Sequence, residues 1–469
     1  MAIVIACGKL SKGNKMQKGM ESNMRKAALH NLGCKVNAYE TESMQQLLEA
    51  SGYEIVPFEE AADVYVINTC SVTNIADRKS RQMVHRAKKN NPNSVVVAAG
   101  CYVQTAREQV QKDNAVDILI GNNKKHELPI LLERFFATRE TASRTLSLVE
   151  DIATDSGYES LSISRTAERT RAFVKVQDGC NQFCSYCIIP YARGRVRSRQ
   201  VADVLEEAAR IAASGCREVV LTGIHLSSYG VDLGTNLLHL IEEVHKVPGI
   251  VRIRLGSLEP KIITEEFARR LSRLPKICPH FHLSLQSGCD DTLRRMNRKY
   301  TCREYRHVCD ILRNNFSHPA ITTDVIVGFP GETDEEFETT RKFLRQIGFF
   351  EIHIFKYSRR EGTRAAKMER QVPEEVKQAR SETLFGDLAP MNEEYLKYYL
   401  GRQAEVLLEE KVSFSGQEYF LGHTKEYVKI AVPFSGQEDG NLENKLVQGV
   451  VSSKLKEHVL LMEHVLEEA

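Results

Sequence analysis

The sequence predicts an α/β protein in three parts: an N-terminal parallel α/β domain, a central open (β/α)6 three-quarter barrel, and a small all-β barrel at the C-terminus. Short apolar runs alternate with helical spacing from Lys26 onward, which is typical of parallel sheets. Further β-rich runs, most of them followed by helical stretches, lie between Arg171 and Tyr357. After Gly401 the pattern changes to short strands and glycine-containing turns.

The composition is that of an ordinary globular protein. The chain has 469 residues, of which 42% are apolar and 27% charged, and this length fits about two to four domains. No run reaches the ~18 uninterrupted apolar residues of a membrane span, so no membrane partner is expected. The formal charge of +2 excludes a strongly basic protein of the histone type. Any contact with RNA must therefore come from local patches.

The cysteine content indicates the compartment. Twelve cysteines in a chain without a credible signal peptide indicate a reducing environment, where clustered thiols more often bind metal than form disulfides. We therefore expect a cytoplasmic protein. Residues 1–25 lack the basic and apolar segments of a secretion signal, and we predict a disordered leader there. Cys7, within this leader, is not considered a site residue.

The predicted N-terminal domain covers residues 26–136. Its elements alternate in the order strand 27–32, helix 40–50, strand 64–68, helix 75–89, strand 95–99 and strand 117–120. Cys34, Cys70 and Cys101 come just after three of these strands. Ligands bind at the carboxyl edge of an open α/β sheet, so we expect the three thiols to converge there. The alternative is three separate structural cysteines in the core.

Residues 137–168 lose clear periodicity, which predicts a linker. The central barrel is predicted over residues 169–399. Its strands are expected at 172–176, 218–221, 251–255, 280–285, 323–327 and 351–357. A complete eight-unit barrel needs about 250 residues. The shorter region therefore predicts an open barrel that admits a large substrate.

The C-terminal domain is predicted over residues 400–466. Strands are expected at 405–408, 418–422, 427–432 and 449–452, around glycine-containing turns. From Gly401 to the end there are seven Lys and Arg residues against twelve Asp and Glu residues, a net charge of minus five. We read this segment as a small barrel appended to the central one.

The most specific motif is a C-x3-C-x2-C spacing directly after the first predicted barrel strand, formed by Cys180, Cys184 and Cys187. Structural zinc sites usually use paired C-x2-C units and four protein ligands, and no fourth thiol lies near these three. Three ligands on a four-iron cluster leave one iron open, which is what S-adenosylmethionine needs to chelate. At this motif the sequence resembles the radical-SAM superfamily. The resemblance implies a 4Fe-4S cluster that cleaves S-adenosylmethionine into a deoxyadenosyl radical.

The layout of the whole chain narrows this resemblance. The N-terminal cysteine trio, the barrel and the terminal β-domain together resemble the methylthiotransferases, whose last domain is called TRAM. The resemblance covers nearly the whole chain from Lys26. It implies that Cys34, Cys70 and Cys101 hold an auxiliary 4Fe-4S cluster thought to carry the inserted sulfur. It also implies two uses of S-adenosylmethionine, one to methylate a sulfur and one to form the radical that attacks C2 of an adenine.

Short signatures separate the branches of this family. Residues 32–37, LGCKVN, resemble the MtaB branch, which converts N6-threonylcarbamoyladenosine at position 37 of tRNA to its 2-methylthio derivative. The MiaB and RimO branches have YGCQMN-like and LGCPKN-like segments instead. Residues 177–180, 189–194, 222–226 and 286–289 also resemble MtaB. This implies a tRNA anticodon stem-loop as substrate and a flavodoxin-like or ferredoxin-like one-electron donor as partner.

Candidate contacts to S-adenosylmethionine lie on loops at the carboxyl ends of the barrel strands, at Gly223, Ser257, Gln286 and Gly328. The two glycines would let the backbone approach the ligand, or they only turn the chain. The remaining cysteines show no ligand spacing and are assigned to packing or turns.

Two local groups of cations are candidate RNA contacts. They are Arg193, Arg195 and Arg197 after the cysteine loop, and Arg78, Lys79 and Arg81 after Cys70. Either group is suited to engage anticodon-stem phosphates, although a solvated face is the usual reason for a charge run. The acidic C-terminal domain departs from an RNA-binding module. We expect it to contact tRNA through a few residues such as Lys425 and Lys429, or to cap the barrel.

Two other functions stay open from the sequence alone. One is a methylthiotransferase with another target, either isopentenyl-adenosine tRNA or a ribosomal protein. The other is a non-catalytic iron-sulfur protein that binds RNA. Cleavage of S-adenosylmethionine would separate this last function from the enzymes.

Overall fold

The computed structural model describes residues 24–138, 145–155, 157–166, 170–434 and 442–468. Most of the predicted leader, Cys7 included, lies outside the described residues. The described chain forms a parallel sheet, an open parallel barrel and a closed barrel whose strands are mostly antiparallel. The predicted fold class is confirmed. Within the described ranges, no helix has the length and apolar character to cross a membrane.

The N-terminal sheet is parallel throughout, in the order β2-β1-β3-β4-β5-β6. Its strands are β1 (Lys26–Asn31), β2 (Glu54–Ile55), β3 (Val64–Thr69), β4 (Val95–Gly100), β5 (Ile118–Ile120) and β6 (Leu146–Leu148). Its helices are α1 (Lys35–Ala50), α2 (Asn74–Asn90), α3 (Cys101–Thr105), α4 (Arg107–Gln111) and α5 (Leu128–Thr138). Strand β6 adds to the sheet from within the predicted linker, so that segment is not merely a connection.

Alternation of apolar side chains explains why this sheet is covered on both faces. Tyr65 and Ile67 of β3 pack in one apolar cluster, whereas Val64 and Val66 pack in a second cluster on the other face. Strands that are apolar on both faces are typical of parallel sheets between two helical layers. The face of the sheet that carries α1 lies toward the central barrel. Helix α1 itself packs against the first strand of that barrel.

The central barrel has parallel strands in chain order, with β8 pairing antiparallel to the first of them. The strands are β7 (Arg171–Asp178), β8 (Arg197–Ser198), β9 (Glu218–Gly223), β10 (Arg252–Leu255), β11 (His280–His282), β12 (Ala320–Val327) and β13 (Glu351–Lys356). The helices are α6 (Ile189–Arg193), α7 (Val201–Ala213), α8 (Leu237–His245), α9 (Glu265–Leu271), α10 (Asp290–Arg295), α11 (Cys302–Asn315), α12 (Asp334–Ile347) and α13 (Glu374–Lys397). A bridge between Ile253 and Ile277 joins the two halves. Among the described pairings, none joins β13 back to β7, so the barrel is open.

The C-terminal strands close into a barrel in the order β14-β15-β16-β18-β17. They are β14 (Gln403–Phe414), β15 (Gln417–His423), β16 (Lys429–Pro433), β17 (Leu446–Lys456) and β18 (Val459–Glu468). This barrel docks against the amino ends of the central strands. Nη1 of Arg252 donates to the His423 carbonyl (2.8 Å), and Nη1 of Arg254 donates to the Lys425 carbonyl (2.8 Å). The C-terminal barrel therefore covers the end of the central barrel opposite the loop that follows β7.

Candidate functional site

The N-terminal cysteine trio lies at one edge of the first sheet. Cys70 directly follows β3, Cys101 directly follows β4, and Cys34 lies just beyond β1. These strands are neighbours, and neighbouring strands lie about 4.8 Å apart. Burial, together with the nearby thiols of Cys101 and Cys34, raises the pKa of Cys70 to about 12. The fold thus brings the three thiols together, as the strand order predicts.

A glycine lets the backbone approach one of these sulfurs closely. Gly33 has a φ of +105°, and a Cβ atom there would lie 2.8 Å from Sγ of Cys70. A side chain at position 33 would displace the thiol and strain the backbone. The next residue, Cys34, is the N-cap of α1.

Side-chain N–H groups point at the trio. Nε of Arg193 donates to Sγ of Cys101 at 3.3 Å, and Nδ2 of Asn122 donates to the same sulfur at 3.5 Å. Cys34 differs, because its S–H donates to Oδ1 of Asn37 at 3.8 Å. Donors directed at a sulfur favour its anionic form, which is the form that binds metal.

The second trio occupies the loop between β7 and α6. It consists of Cys180, Cys184 and Cys187. The N–H of Cys180 donates to the Gly194 carbonyl at 3.0 Å. Just before it, Gly179 has a φ of +71°, and a Cβ atom there would lie 1.7 Å from the Arg195 carbonyl oxygen. The loop therefore folds back on residues 194–195, with room only for glycine at its start.

A buried arginine lies beside this second trio. Nη1 of Arg298 donates to Sγ of Cys184 at 3.2 Å, and its Nε donates to the Tyr300 hydroxyl at 2.9 Å. Its Nη2 lies 3.9 Å from Glu259, and Glu259 also pairs with Nε2 of His225 at 2.5 Å. The barrel side of the site thus carries a cation, a carboxylate and an imidazole around one thiol.

Both trios fit a cluster better than a single ion. Tetrahedral zinc binds thiolates at about 2.3 Å, which holds the sulfurs roughly 4 Å apart. Neither of these two fully described trios has all three sulfurs within 4.8 Å of one another. Burial raises the pKa of Cys180 to about 11 and that of Cys187 to about 12, so both are thiols when no metal is bound. Loading iron must release these protons.

Arg193 connects the two trios, and it corrects a prediction. Its side chain is fully buried, with Nη1 bonded to Glu40 (2.7 Å) and to Asp178 (3.1 Å). Asp178 lies two residues before Cys180. Arg197 is also buried, 1% exposed, and lies near Asp178. The prediction that Arg193 and Arg197 contact RNA phosphates is therefore wrong, because neither guanidinium reaches the surface.

The other predicted cations have different surroundings. Arg78 and Lys79 are exposed on α2. Arg81 is half-buried, and its Nη1 donates to the Tyr102 hydroxyl at 3.0 Å. Arg195 is exposed and lies over the ring of Phe183, with its guanidinium 4.8 Å from the ring centre. These four remain candidates for phosphate contacts, with Arg81 the most constrained.

A cavity of about 290 Å³ lies between the second trio and the barrel strands. Its lining includes Cys187, Gln286, Asp324 and Phe355. Of the four candidate contacts to S-adenosylmethionine, Gln286 lines this cavity and has a left-handed backbone, with a φ of +73°.

The other three candidates lie elsewhere. Ser257 is exposed just after β10. A Cβ atom at Gly223 would lie 2.8 Å from Oε1 of Gln177. Gly328 faces Lys377 of α13, and its N–H donates to Glu332 at 2.6 Å. These contacts suit the turn interpretation of Gly328.

Several residues of the site were not found from the sequence. Asn122, Arg298 and Glu259 lie far in sequence from the sulfurs or charges that they contact. Arg298 stands in a basic run after α10, which by itself reads as a solvated surface. Glu40 lies on α1 six residues after the first cysteine, and its buried partner Arg193 is 153 residues away in sequence.

Two family models match the chain. The Radical SAM superfamily matches residues 174–344, and the Uncharacterized protein family UPF0004 matches residues 26–121. A solved radical S-adenosylmethionine methyltransferase, TsrM from Kitasatospora setae, with cobalamin and a [4Fe-4S] cluster bound, is similar with a TM-score of 0.53 and 16% identity. The alignment covers 71% of this chain and 75% of that one. This likeness shows a shared fold.

Curated relatives are similar over most of the chain. A threonylcarbamoyladenosine tRNA methylthiotransferase MtaB from Bacillus subtilis (strain 168) is 42% identical over 89% of this chain and 92% of its own length. The protein of the same name from Aquifex aeolicus (strain VF5) is 40% identical over 84% and 95%. A tRNA-2-methylthio-N(6)-dimethylallyladenosine synthase from Acetivibrio thermocellus is 36% identical over 85% and 83%.

Proposed function

This chain belongs to the MtaB methylthiotransferases of the radical-SAM superfamily. From that membership we propose which reaction it catalyses and which residues hold its cofactors. The chain is a radical-SAM enzyme that converts N6-threonylcarbamoyladenosine of tRNA, at position 37, to its 2-methylthio derivative. The observation that carries the proposal is the position of the two cysteine trios on either side of the buried Arg193. Arg193 contacts Cys101 of the first trio and Asp178, next to the second.

The family uses S-adenosylmethionine and 4Fe-4S clusters. We assign the radical-generating cluster to Cys180, Cys184 and Cys187, and the auxiliary cluster to Cys34, Cys70 and Cys101. When bound, the two clusters would supply the electron that cleaves S-adenosylmethionine and the sulfur that is inserted. The wide sulfur spacing and the N–H donors at Cys101 support this assignment.

The residues of the cavity have their own tasks in this proposal. Gln286, held by backbone bonds to the neighbouring strand, offers a fixed polar contact for S-adenosylmethionine beside Cys187. Gly223, Ser257 and Gly328 are retained as weaker candidates for the same ligand. Apolar lining residues such as Ile188 and Phe355 would exclude water from a reactive radical.

The RNA would lie over the open side of the barrel. The proposed phosphate contacts near the two trios are the exposed cations Arg78, Lys79 and Arg195. The half-buried Arg81 is a further proposed contact. The C-terminal barrel is proposed to be a TRAM-like domain whose main task is to cap the central barrel. Lys425 has part of its ammonium engaged with the Pro275 carbonyl (3.2 Å), whereas Lys429 is exposed.

The finer assignments of the chain are also proposals. The N-terminal cluster domain is assigned to residues 26–136, the radical-SAM barrel to 169–399 and the TRAM-like domain to 400–466. A flavodoxin-like or ferredoxin-like protein would supply single electrons. The cytoplasm is the compartment we propose, because the reaction needs reduced thiols and tRNA.

Mass spectrometry of tRNA nucleosides tests the proposed reaction. A strain that lacks methylthiolated threonylcarbamoyladenosine would be supplied with the wild-type gene or with a Cys180→Ala, Cys184→Ala, Cys187→Ala version. We expect the 2-methylthio derivative of threonylcarbamoyladenosine with the wild type only. Methylthiolation of dimethylallyladenosine instead would move the chain to the activity named for its 36% relative. Absence of both products from iron-loaded protein would contradict the proposal.

A further inference from the structure

Arg193 lies at the centre of a buried network of charges. Its Nε is 3.3 Å from Sγ of Cys101, and its two terminal nitrogens bond both carboxylate oxygens of Glu40. Nη1 also bonds Asp178. Nη2 also donates to Oδ1 of Asn37 at 2.7 Å. The guanidinium therefore presents one directed N–H to a sulfur, while its remaining donors are occupied by two carboxylates and an amide oxygen.

Two lysines extend this network. Lys125 pairs with Glu40 at 3.2 Å, and Lys175 pairs with both Glu40 (2.7 Å) and Asp178 (2.6 Å). Arg197 lies 3.9 Å from Asp178, and the backbone N–H of Lys125 donates to the buried carboxylate of Glu159. With Arg193, the four cations outnumber the three carboxylates by one charge. All seven side chains are at most 4% exposed, so water screens this excess positive charge poorly.

A positive charge beside a cluster has a definite effect on its redox chemistry. One-electron reduction adds negative charge to a cluster, and N–H donors and cations near its sulfurs stabilise the reduced state. The contact of Arg193 is with the ligand thiol itself. Glu40 and Asp178 would each keep a lysine partner if Arg193 lost its charge, so the remainder of the network does not depend on it alone.

We propose that Arg193 sets the reduction potential of the auxiliary cluster, raising it through the Nε–H···Sγ contact with Cys101 and through its buried charge. This inference rests on the proposed assignment of that cluster to Cys34, Cys70 and Cys101. Arg193 is a positioning residue in this role, because it acts through the thiol ligand. Glu40 acts on the reduction potential in the opposite direction, because its carboxylate places negative charge against the same guanidinium.

The experiment uses the full-length chain with Cys180, Cys184 and Cys187 replaced by Ala, so that the auxiliary cluster is the one observed. Iron content is measured first. The reduced fraction is then followed by electron paramagnetic resonance while titanium(III) citrate delivers single electrons at controlled solution potential. Arg193→Gln, Arg193→Lys and Glu40→Gln are compared with this background. Arg252→Gln is the matched control, since Arg252 is equally buried but bonds the C-terminal barrel.

The two charge changes should act in opposite directions. At a fixed potential, Arg193→Gln should lower the ratio of reduced to oxidised cluster at least tenfold, which is 59 mV for one electron. Glu40→Gln should raise that ratio, Arg193→Lys should fall between Arg193→Gln and the background, and Arg252→Gln should leave it unchanged. A merely structural Arg193 predicts no such opposition.

Each other outcome decides the matter. A loaded Arg193→Gln chain with an unchanged ratio, or a Glu40→Gln chain that shifts the ratio downward, would overturn the inference while leaving the cluster assignment intact. If Arg193→Gln fails to bind iron, the Arg193→Lys and Glu40→Gln chains decide by the same criterion. If the background chain itself holds no iron, the proposed assignment of the cluster falls and the inference with it.

Discussion

Glu40 receives both terminal nitrogens of Arg193: Nη1 lies 2.7 Å from Oε1, and Nη2 lies 3.0 Å from Oε2. The first residue belongs to α1 of the N-terminal domain and the second ends α6 of the central barrel. A two-pronged pair fixes orientation as well as distance. It therefore sets how the edge that bears the first cysteine trio faces the loop that bears the second.

The two trios should be separable by mutation. Replacing Cys34, Cys70 and Cys101 by Ala should remove about half of the bound iron and all methylthiolated product, yet leave reductant-dependent formation of deoxyadenosine. Replacing Cys180, Cys184 and Cys187 should abolish deoxyadenosine as well. Iron assay and product analysis check both. Cys216→Ala, a buried thiol bonded to the Glu218 carbonyl, is the control that should keep all the iron. Full iron in the first variant would disprove the auxiliary site.

Gly33→Ala should disrupt the auxiliary site selectively. The added Cβ would lie 2.8 Å from Sγ of Cys70, and the left-handed backbone adds strain of about 1 kcal/mol. Gly52→Ala is the matched control, since Gly52 has a φ of +84° and nothing within 4 Å of its Cβ position. Iron content should fall in the first variant and not in the second. Equal iron in both would show that the sulfur edge tolerates a side chain.

Exchange of the exposed cations on α2 should weaken RNA binding uniformly. Arg78→Gln with Lys79→Gln should reduce the affinity for a tRNA anticodon stem-loop, and should lower the salt slope of that affinity by about one unit for each phosphate that is no longer bound. Lys246→Gln is the control, because Lys246 is exposed just beyond the end of α8, before the amino end of β10. Fluorescence anisotropy over a range of salt concentrations measures both. An unchanged slope would place the RNA elsewhere.

Glu218→Gln should destabilise the junction with the C-terminal barrel. Glu218 is fully buried and pairs with Arg171 (2.7 Å) and Arg254 (2.8 Å). Leaving two buried guanidiniums short of a carboxylate should cost about 3–5 kcal/mol of unfolding free energy. Thermal unfolding followed by circular dichroism measures it. Glu243→Gln, which breaks an exposed pair with Lys246, should leave the midpoint unchanged. A similar midpoint for both variants would contradict this account of the junction.

The same carboxyl predicts a pH dependence. Burial opposes ionisation of Glu218, but Arg254 and Arg171 outweigh burial and hold its pKa well below the usual range. Such a group stabilises the fold above its unfolded pKa of about 4.3, and the contribution is lost as pH falls toward the folded pKa. The stability difference between the wild type and Glu218→Gln should therefore shrink below about pH 4. A constant difference from neutral to acid pH would argue against this assignment.

The convergence of Cys34, Cys70 and Cys101 could be predicted because parallel strands present their carboxyl ends at one edge, whatever their separation in sequence. The place of Arg193 could not. Its side chain contacts Cys101 and Glu40, 92 and 153 residues away in sequence, and no local pattern encodes such pairing. An arginine-rich run looks alike in sequence whether it is solvated or buried.

The limits of periodicity explain the strands that were missed. Strand β6 has three residues, too few for alternation to be recognised. Strand β18 contains the run Val459-Leu460-Leu461-Met462, whose continuous apolar character fits a buried helix as well as a strand. Closure of the C-terminal barrel depends on this strand, since it pairs with both β16 and β17.

Arg252 and Arg254 hold the loop at 423–427 against the floor of the central barrel. With the floor covered, an adenine ring can reach the cysteines from the opposite rim or through the open side between β13 and β7. A base inside a stacked stem cannot present C2 there, and everting it costs a few kcal/mol, least where the strand is already unpaired. The architecture thus favours a nucleoside that is already unstacked in its RNA. This selection by accessibility does not depend on any side-chain contact to the base.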